Sequence, residues 1–406
     1  MQTALKKARI LLPNAGVSPE KWAVIACDQF TAQPDYWAKA EALVGDAPST
    51  LRLTLPEIWL GESDARVPGI HTAMKHYLDE GGLIEAVDGF VLIERTTGAG
   101  VRHGLVAALD LDQYDFSEGS HSLIRATEGT VPERVPPRAR IRAGAPLELP
   151  HVMMLIDDPE KTVIEPLYQD RDTLRPLYDF ELMLDGGHLR GWAVEGEACG
   201  RIFAALEALA SHCDGLLYAV GDGNHSLAAA KQCWIKLRET LSESERQCHP
   251  ARYALVELVN LACDALEFEP IHRVLFGVNP GNLMDAFRQY LQSRGIADKP
   301  GNDLISFDCR SESRFDFEQH PLPLLQAFLD EYLSDHPEVE IDYIHGEDAL
   351  RQLVANRPDA VGFMPRAFDK SELFPSIRRW GALPRKTFSM GEAIEKRYYM
   401  EARRIL

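Results

Sequence analysis

No stretch of this 406-residue chain approaches the ~20 consecutive apolar residues of a membrane-spanning helix, so nothing in it points to insertion in a bilayer. Positive charge is scarce as well: 43 Lys and Arg stand against 62 Asp and Glu, for a formal charge of −19. Binding to nucleic acid draws on cations that displace counterions from phosphates, and this balance argues against it. A local basic pocket for a small phosphorylated ligand remains compatible with it. The seven cysteines are an odd count with no C-x-x-C pair, which predicts reduced thiols in place of a disulfide framework or a zinc knuckle. Before Pro13 the N-terminus MQTALKKARILLPNAG carries only a stub of apolar sequence, too short for a signal peptide, and the expectation is a cytoplasmic protein. Repeats and low-complexity tracts are absent, and the sequence specifies no oligomeric state.

What is present is a globular composition, 45% hydrophobic and 26% charged, at a length that predicts two or three packed units. QPDYWAKAEALVG reads as a helix opened by Pro34 and closed by Gly45, and VPGIHTAMKHYLDEGGL as a second one stopped by Gly81 and Gly82. DGFVLIERTTGAGVRHGLVAALDLDQY is a hairpin about Gly98-Ala99-Gly100. Two further strand pairs are expected in HVMMLIDDPEKTVIEPLY and LYDFELMLDGGHLRGWAVEG. The Arg- and Pro-rich stretch between the first hairpin and these pairs, from His121 to Pro150, is expected to be a long ordered loop. CGRIFAALEALASHC is an amphipathic helix, and ARYALVELVNL a central strand. Trp22, Tyr36 and Trp37 fall at core spacing. The expected division is an N-terminal lobe over 1–272, a smaller α/β lobe over 273–370 and a closing segment over 371–406 that returns to the site.

LLYAVGDGNHSLAAAK places a strand, two glycines and a helix start in direct succession. Gly221 and Gly223 permit close backbone approach, and Leu227, Ala230, Trp234 and Leu237 give the helix one apolar side. The unpaired amides beside Asn224, His225 and Ser226, together with the positive end of the helix dipole, favour an anion. The turn is neither a Walker A loop nor G-x-G-x-x-G, and the Asp-x-His of metallophosphoesterases occurs nowhere in the chain.

The segment DGNHS resembles the Asp-Gly-His-His-Arg turn of the domain-of-unknown-function 1015 family, with Asn224 at the first histidine and Ser226 at the arginine. AVIACDQF resembles that family's N-terminal Tyr-Asp-Val loop, with Asp28 at the aspartate. LIRATEGTVPERV resembles its Arg-His-Glu-x-Thr segment through Arg125, Glu128 and Thr130. PIHRVL matches a Pro-x-His-Arg stretch at His272 and Arg273, and LPRKTFSM resembles the closing Pro-Lys-Thr-Thr motif at Lys386 and Thr387. The resemblance implies an α/β (α+β mixed) fold with a partition protein B/sulfiredoxin-like core, β-hairpin elaborations and a smaller C-terminal α/β lobe. It also relates the chain to free-serine kinases.

On that basis ADP or ATP is the expected cofactor, accompanied by Mg²⁺. Gly221 to Ser226 would supply amides to the phosphates, Arg125, Arg273 and Lys386 positive charge, and Thr130 and Thr387 hydroxyls; Asp222 or Glu128 would hold the metal. Either Asp28 or Glu128 would serve as base, with His225 the leading catalytic candidate. The expected activity is phosphate transfer between a nucleotide and a small hydroxylated metabolite, free serine or phosphoserine leading. A non-catalytic nucleotide sensor and a nucleotide-gated DNA-binding partition protein are the alternatives.

Overall fold

The computed structural model describes residues 3–117 and 119–406, and it divides into two units, one ending at Glu267 and regaining Gly391–Leu406, the other Phe268–Met390. In the first, eleven extended segments join one mixed sheet: β1 (Leu5–Lys6), β2 (Ala8–Pro13), β3 (Leu83–Thr97), β4 (Gly100–Asp110), β5 (Tyr114–Asp115), β6 (Ile124–Ala126), β7 (Val152–Ile156), β8 (Arg175–Glu181), β9 (His188–Val194), β10 (Tyr218–Asp222) and β11 (Tyr253–Asn260). Their spatial order is β8-β9-β3-β4-β11-β7-β10-β6-β5, with β1 on β4 and β2 on β3. The mixed α/β class expected from the sequence is the one observed.

Alternation along β3 and β4 explains why helices cover both faces. Val91, Ile93, Val106 and Ala108 point into a core shared with Trp22, Trp37 and Ile70; Phe90, Leu92, Leu105 and Ala107 point the opposite way, toward Ile202, Leu227 and Trp234. The first face carries α1 (Pro34–Val44) and α2 (Ser63–Asp79), and the second carries α4 (Glu197–Ala210) and α5 (Asn224–Arg238), which follow the short α3 (Val135–Arg142) in the chain. The hairpin closes with Thr97 opposite Gly100, and α1 ends at Gly45.

Two sequence expectations are corrected. The second half of HVMMLIDDPEKTVIEPLY is not a strand but a turn and the short helix Glu165–Gln169. Asp158 accepts the amides of Thr162 (2.6 Å) and Val163 (2.9 Å), curling the chain, and Pro166 suits a first helical turn. The stretch His121–Pro150 contains β6, α3 and the strand Leu147–Glu148 where a loop was expected, because Pro136 and Pro137 lie in the first turn of α3 and open it instead of breaking it. Among the described residues no helix is long and apolar enough to cross a membrane.

The last sixteen residues thread back into this unit. Tyr398–Tyr399 pairs with Val24–Ile25, Ala402 bridges Leu11, and Arg403–Arg404 pairs with Leu147–Glu148. Lys396, Arg397, Glu401 and Arg403 are all buried. Burial is tolerated because each charge meets its opposite: Arg397 bonds Glu257 (2.6 Å) and Glu401, and Arg403 bonds Glu148.

The second unit is a six-stranded antiparallel sheet of β12 (Phe268–Phe276), β13 (Lys299–Phe307), β14 (Glu312–Asp316), β15 (Glu340–His345), β16 (Ala360–Pro365) and β17 (Phe388–Met390). Its order is β14-β13-β16-β12-β15, with β17 on β12. Helices α6 (Pro280–Ser293) and α7 (Pro321–Asp335) supply Phe287 and Phe328 to a core that also holds Phe315 and Phe363.

Candidate functional site

The fully buried residues Tyr218, Ala219 and Val220 fix β10 in the sheet, and the chain then has to reverse into α5. Gly223 makes the reversal at φ +85°, where a Cβ would lie 3.1 Å from His151 Cδ2 and 3.2 Å from Val152 Cα. Glycine is therefore required both for the left-handed backbone and for the close approach. No side chain caps α5. Leu227 donates to Gly223 O at 3.0 Å, but among the described residues the amides of Asn224 and Ser226 donate to no carbonyl or side chain. They stand open at the positive end of a fifteen-residue helix.

Glycine's lack of a side chain also brings His151 against the turn. Its Nε2 is 3.4 Å from Asp28 Oδ2, and its Nδ1 is 2.6 Å from the Tyr399 hydroxyl, which accepts the Cys27 amide at 3.0 Å. Burial disfavours ionised Asp28, yet His151, Gln29 and Lys396 outweigh it and hold the carboxyl well below its usual range. For His151, burial opposes the charge while Tyr399 and Asp28 hold the imidazole well above its ordinary value. Tyr399 is pushed upward, chiefly by burial, and keeps its proton. Lys396 Nζ lies 3.6 Å from Asp222 Oδ2, and Asp222 Oδ1 accepts the Gly223 amide at 3.0 Å.

Beside these groups is a cavity of about 150 Å³, bordered by Cys27, His151, Ser226 and Tyr399 on its polar side. The lining also includes Leu53, Leu55, Leu60, Met74 and Ile141. Arg138 lines it too, paired with Glu57.

Of the residues singled out in the sequence, Asp28, Gly221, Asp222, Gly223, Asn224 and Ser226 gather here. His225 flanks the same turn, where its Nε2 accepts the Val131 amide at 3.2 Å, which places its proton on Nδ1. Thr127 donates to Val220 O at 2.6 Å and receives Asn224 Nδ2 at 3.4 Å, so the segment bearing half-buried Glu128 and Thr130 packs along the turn. Arg125 is elsewhere: its guanidinium donates to Ser122 O (2.9 Å) and Gly215 O (3.2 Å), ahead of β10. Arg273, Lys386 and Thr387 belong to the second unit. There Arg273 is wholly buried against Gln326 and Arg385 O, Thr387 donates to Pro384 O at 2.5 Å, and Lys386 is exposed.

Sequence reasoning missed His151, Lys396, Tyr399 and Arg138. A histidine immediately before the apolar run VMMLI, and twin tyrosines inside the charged stretch EKRYYMEARR, were the available signals. As for a metal, among the described residues no three His, Cys, Asp or Glu side chains meet in a group able to hold one. Both oxygens of Asp222 already face the Gly223 amide and Lys396.

Comparison with known proteins gives one family match: the model described as protein of unknown function (DUF1015) covers residues 11–349. No curated protein matches. Among solved structures, a free serine kinase variant in complex with ADP aligns at 12% identity and a TM-score of 0.40 over 73% of this chain and 90% of that one. A free serine kinase in complex with AMP aligns at 11% and 0.40 over the same shares. A conserved hypothetical protein from Pyrococcus furiosus aligns at 10% and 0.38, over 73% of this chain and 93% of its own.

Proposed function

Starting from a chain that belongs to the DUF1015 family, we propose that it moves phosphate between a nucleotide, ADP or ATP, and a small hydroxylated metabolite. The observation that carries this reading is the meeting, about the Gly223 turn, of open helix-start amides, an Asp28–His151–Tyr399 chain and a Lys396–Asp222 pair, with His151, Tyr399 and Ser226 lining a small cavity. Phosphate transfer is mainly a matter of positioning and charge neutralisation, and these are the parts it needs.

Asn224 and Ser226 amides take a phosphate, aided by the helix dipole. The signature arginine is replaced by Ser226, and Lys396 supplies a cation at the turn in its stead. A 150 Å³ cavity matches an engineered one that accepts benzene, so it takes about six heavy atoms and leaves the nucleotide outside. Tyr399 accepts the Cys27 amide and His151 Nδ1–H, which turns its own hydrogen toward a ligand oxygen. In the direction that frees the alcohol, Tyr399 gives its proton to the leaving oxygen and His151 restores it; phosphorylation runs the path in reverse. Asp28, ionised and salt-bridged, is a weak base and acts by positioning His151.

The test is transfer of labelled phosphate from ATP to a panel of small alcohols and hydroxy acids. Lys396→Met should abolish transfer while the fold persists. Nucleotide-dependent thermal stabilisation with no transfer to any member would instead favour the sensor reading.

A further inference from the structure

We propose that the cavity beside Tyr399 selects a neutral, largely apolar alcohol of about six heavy atoms and rejects zwitterions such as serine; the identity of this ligand as the phosphate acceptor rests on the function proposed above. The charged side chains that line the cavity are Glu57, Arg138, Arg142, Glu148 and His151. All five are already matched. Arg138 pairs with Glu57, Arg142 with Glu148 at 2.5 Å, and His151 with Asp28 at 3.4 Å. Glu148 is further held by Arg403 and by the Leu255 amide at 2.9 Å.

A free amino acid would bring an ammonium and a carboxylate into this space. The carboxylate can turn to the open Ser226 amide, but the ammonium would lose its water with no unmatched carboxylate to meet it, and burial of an unpaired ion is among the costliest events in a protein interior. The groups left to meet a ligand are uncharged: the Tyr399, Ser226 and Thr54 hydroxyls, the Ser226 amide and the Cys27 thiol. Tyr399 and Cys27 meet through the Cys27 amide at 3.0 Å, where one hydroxyl can be bonded. Half of the lining is leucine, isoleucine, methionine or alanine, nine residues of eighteen, and that wall rewards carbon, which serine's single methylene does not offer.

Isothermal titration of the full chain with cyclohexanol and with L-serine tests this, with nucleotide absent. The expected result is a dissociation constant at least tenfold lower for cyclohexanol. Filling the cavity by Ala229→Leu should weaken cyclohexanol binding at least tenfold; Ala145→Val, a smaller insertion into the same lining, serves if the first variant fails to fold. Serine binding as tightly as cyclohexanol, no binding of cyclohexanol, or cyclohexanol binding unchanged in a folded cavity-filled variant would each overturn the assignment. Cyclohexanol binding without phosphate transfer from ATP to any alcohol would uphold the pocket's selectivity and sink the phosphotransferase reading, so the two failures are distinct.

Discussion

Replacing Arg397 by methionine probes the most heavily buried charge cluster of the first unit. The guanidinium bonds Glu257 at 2.6 Å, Glu401, and Pro150 O at 3.2 Å, and its side chain is 4% exposed. Methionine keeps most of the apolar stem and removes the charge, leaving Glu257 with Arg102 at 3.5 Å and Glu401 with the Tyr178 hydroxyl. Breaking one side of a buried pair costs ~3–5 kcal/mol. The residual partners argue against doubling that for two carboxylates. With a urea m-value of about 3 kcal/mol/M, the midpoint should fall by ~1–1.7 M. Five of the six tryptophans, all but Trp380, lie in this unit, so their fluorescence reports its unfolding.

The same variant has a definite pH signature. In the native chain burial opposes ionised Glu257, but Arg397 and Arg102 prevail and lower its pKa. A lowered carboxyl stabilises the fold above the unfolded value of about 4.3, and that stability is lost as pH falls through the folded value. Without Arg397, burial raises the same carboxyl, so protonation relieves the variant. Between pH 7 and 5 it is this relief of the variant that narrows the gap, since the native contribution falls only below about pH 4.3. A loss under ~1 kcal/mol at pH 7, or a gap that widens on acidification, would refute the account.

Gly223→Ala should cost about 1–2 kcal/mol for its left-handed backbone, with a further loss from displacing His151 and Val152, and should weaken ADP binding in a titration. Gly200→Ala, in α4 with nothing within 4 Å of the added carbon, should be neutral or stabilising by ~0.5–1 kcal/mol, a control read in the same urea experiment. His151, whose folded pKa is raised, contributes stability that is complete below about pH 6.5 and fades as pH rises through the folded value; Asp28→Asn should bring its NMR titration midpoint down and weaken that dependence. Tyr399→Phe, which keeps the ring and loses the hydroxyl, should lower phosphate transfer about 10²-fold or more, measured at saturating nucleotide.

The hairpins, the amphipathic α4 and the turn into α5 could be seen in the sequence because each rests on local chemistry: alternation, a glycine where the chain reverses, an apolar stripe. Half of the candidate site was visible for the same reason, since Gly221 to Ser226 sit together along the chain. His151, Lys396 and Tyr399 were not, because their significance lies in what they touch. Lys396 belongs to a run of charges that by composition reads as solvated surface, yet its neighbours Arg397, Glu401 and Arg403 are interior, matched by Glu257 and Glu148 from distant strands. The misjudged stretch around Val135 has a different cause. An Arg- and Pro-rich composition reads there as a long loop, whereas at the first turn of α3 proline's missing amide costs nothing.

The threading of the final segment has a consequence for synthesis. The Cys27 amide and the Tyr399 hydroxyl that receives it are 372 residues apart, so a ribosome can have made nearly the whole sheet before Tyr399 exists. A chain halted at residue 395 would lack the lysine and the phenol and, with them, Arg397, Glu401 and Arg403, whose buried pairs include Glu257 and Glu148. Synthesis therefore delivers Lys396 and Tyr399 together with the ion pairs that lock the sheet, and a protease trimming the tail would part Arg403 from Glu148 before it reached either of them.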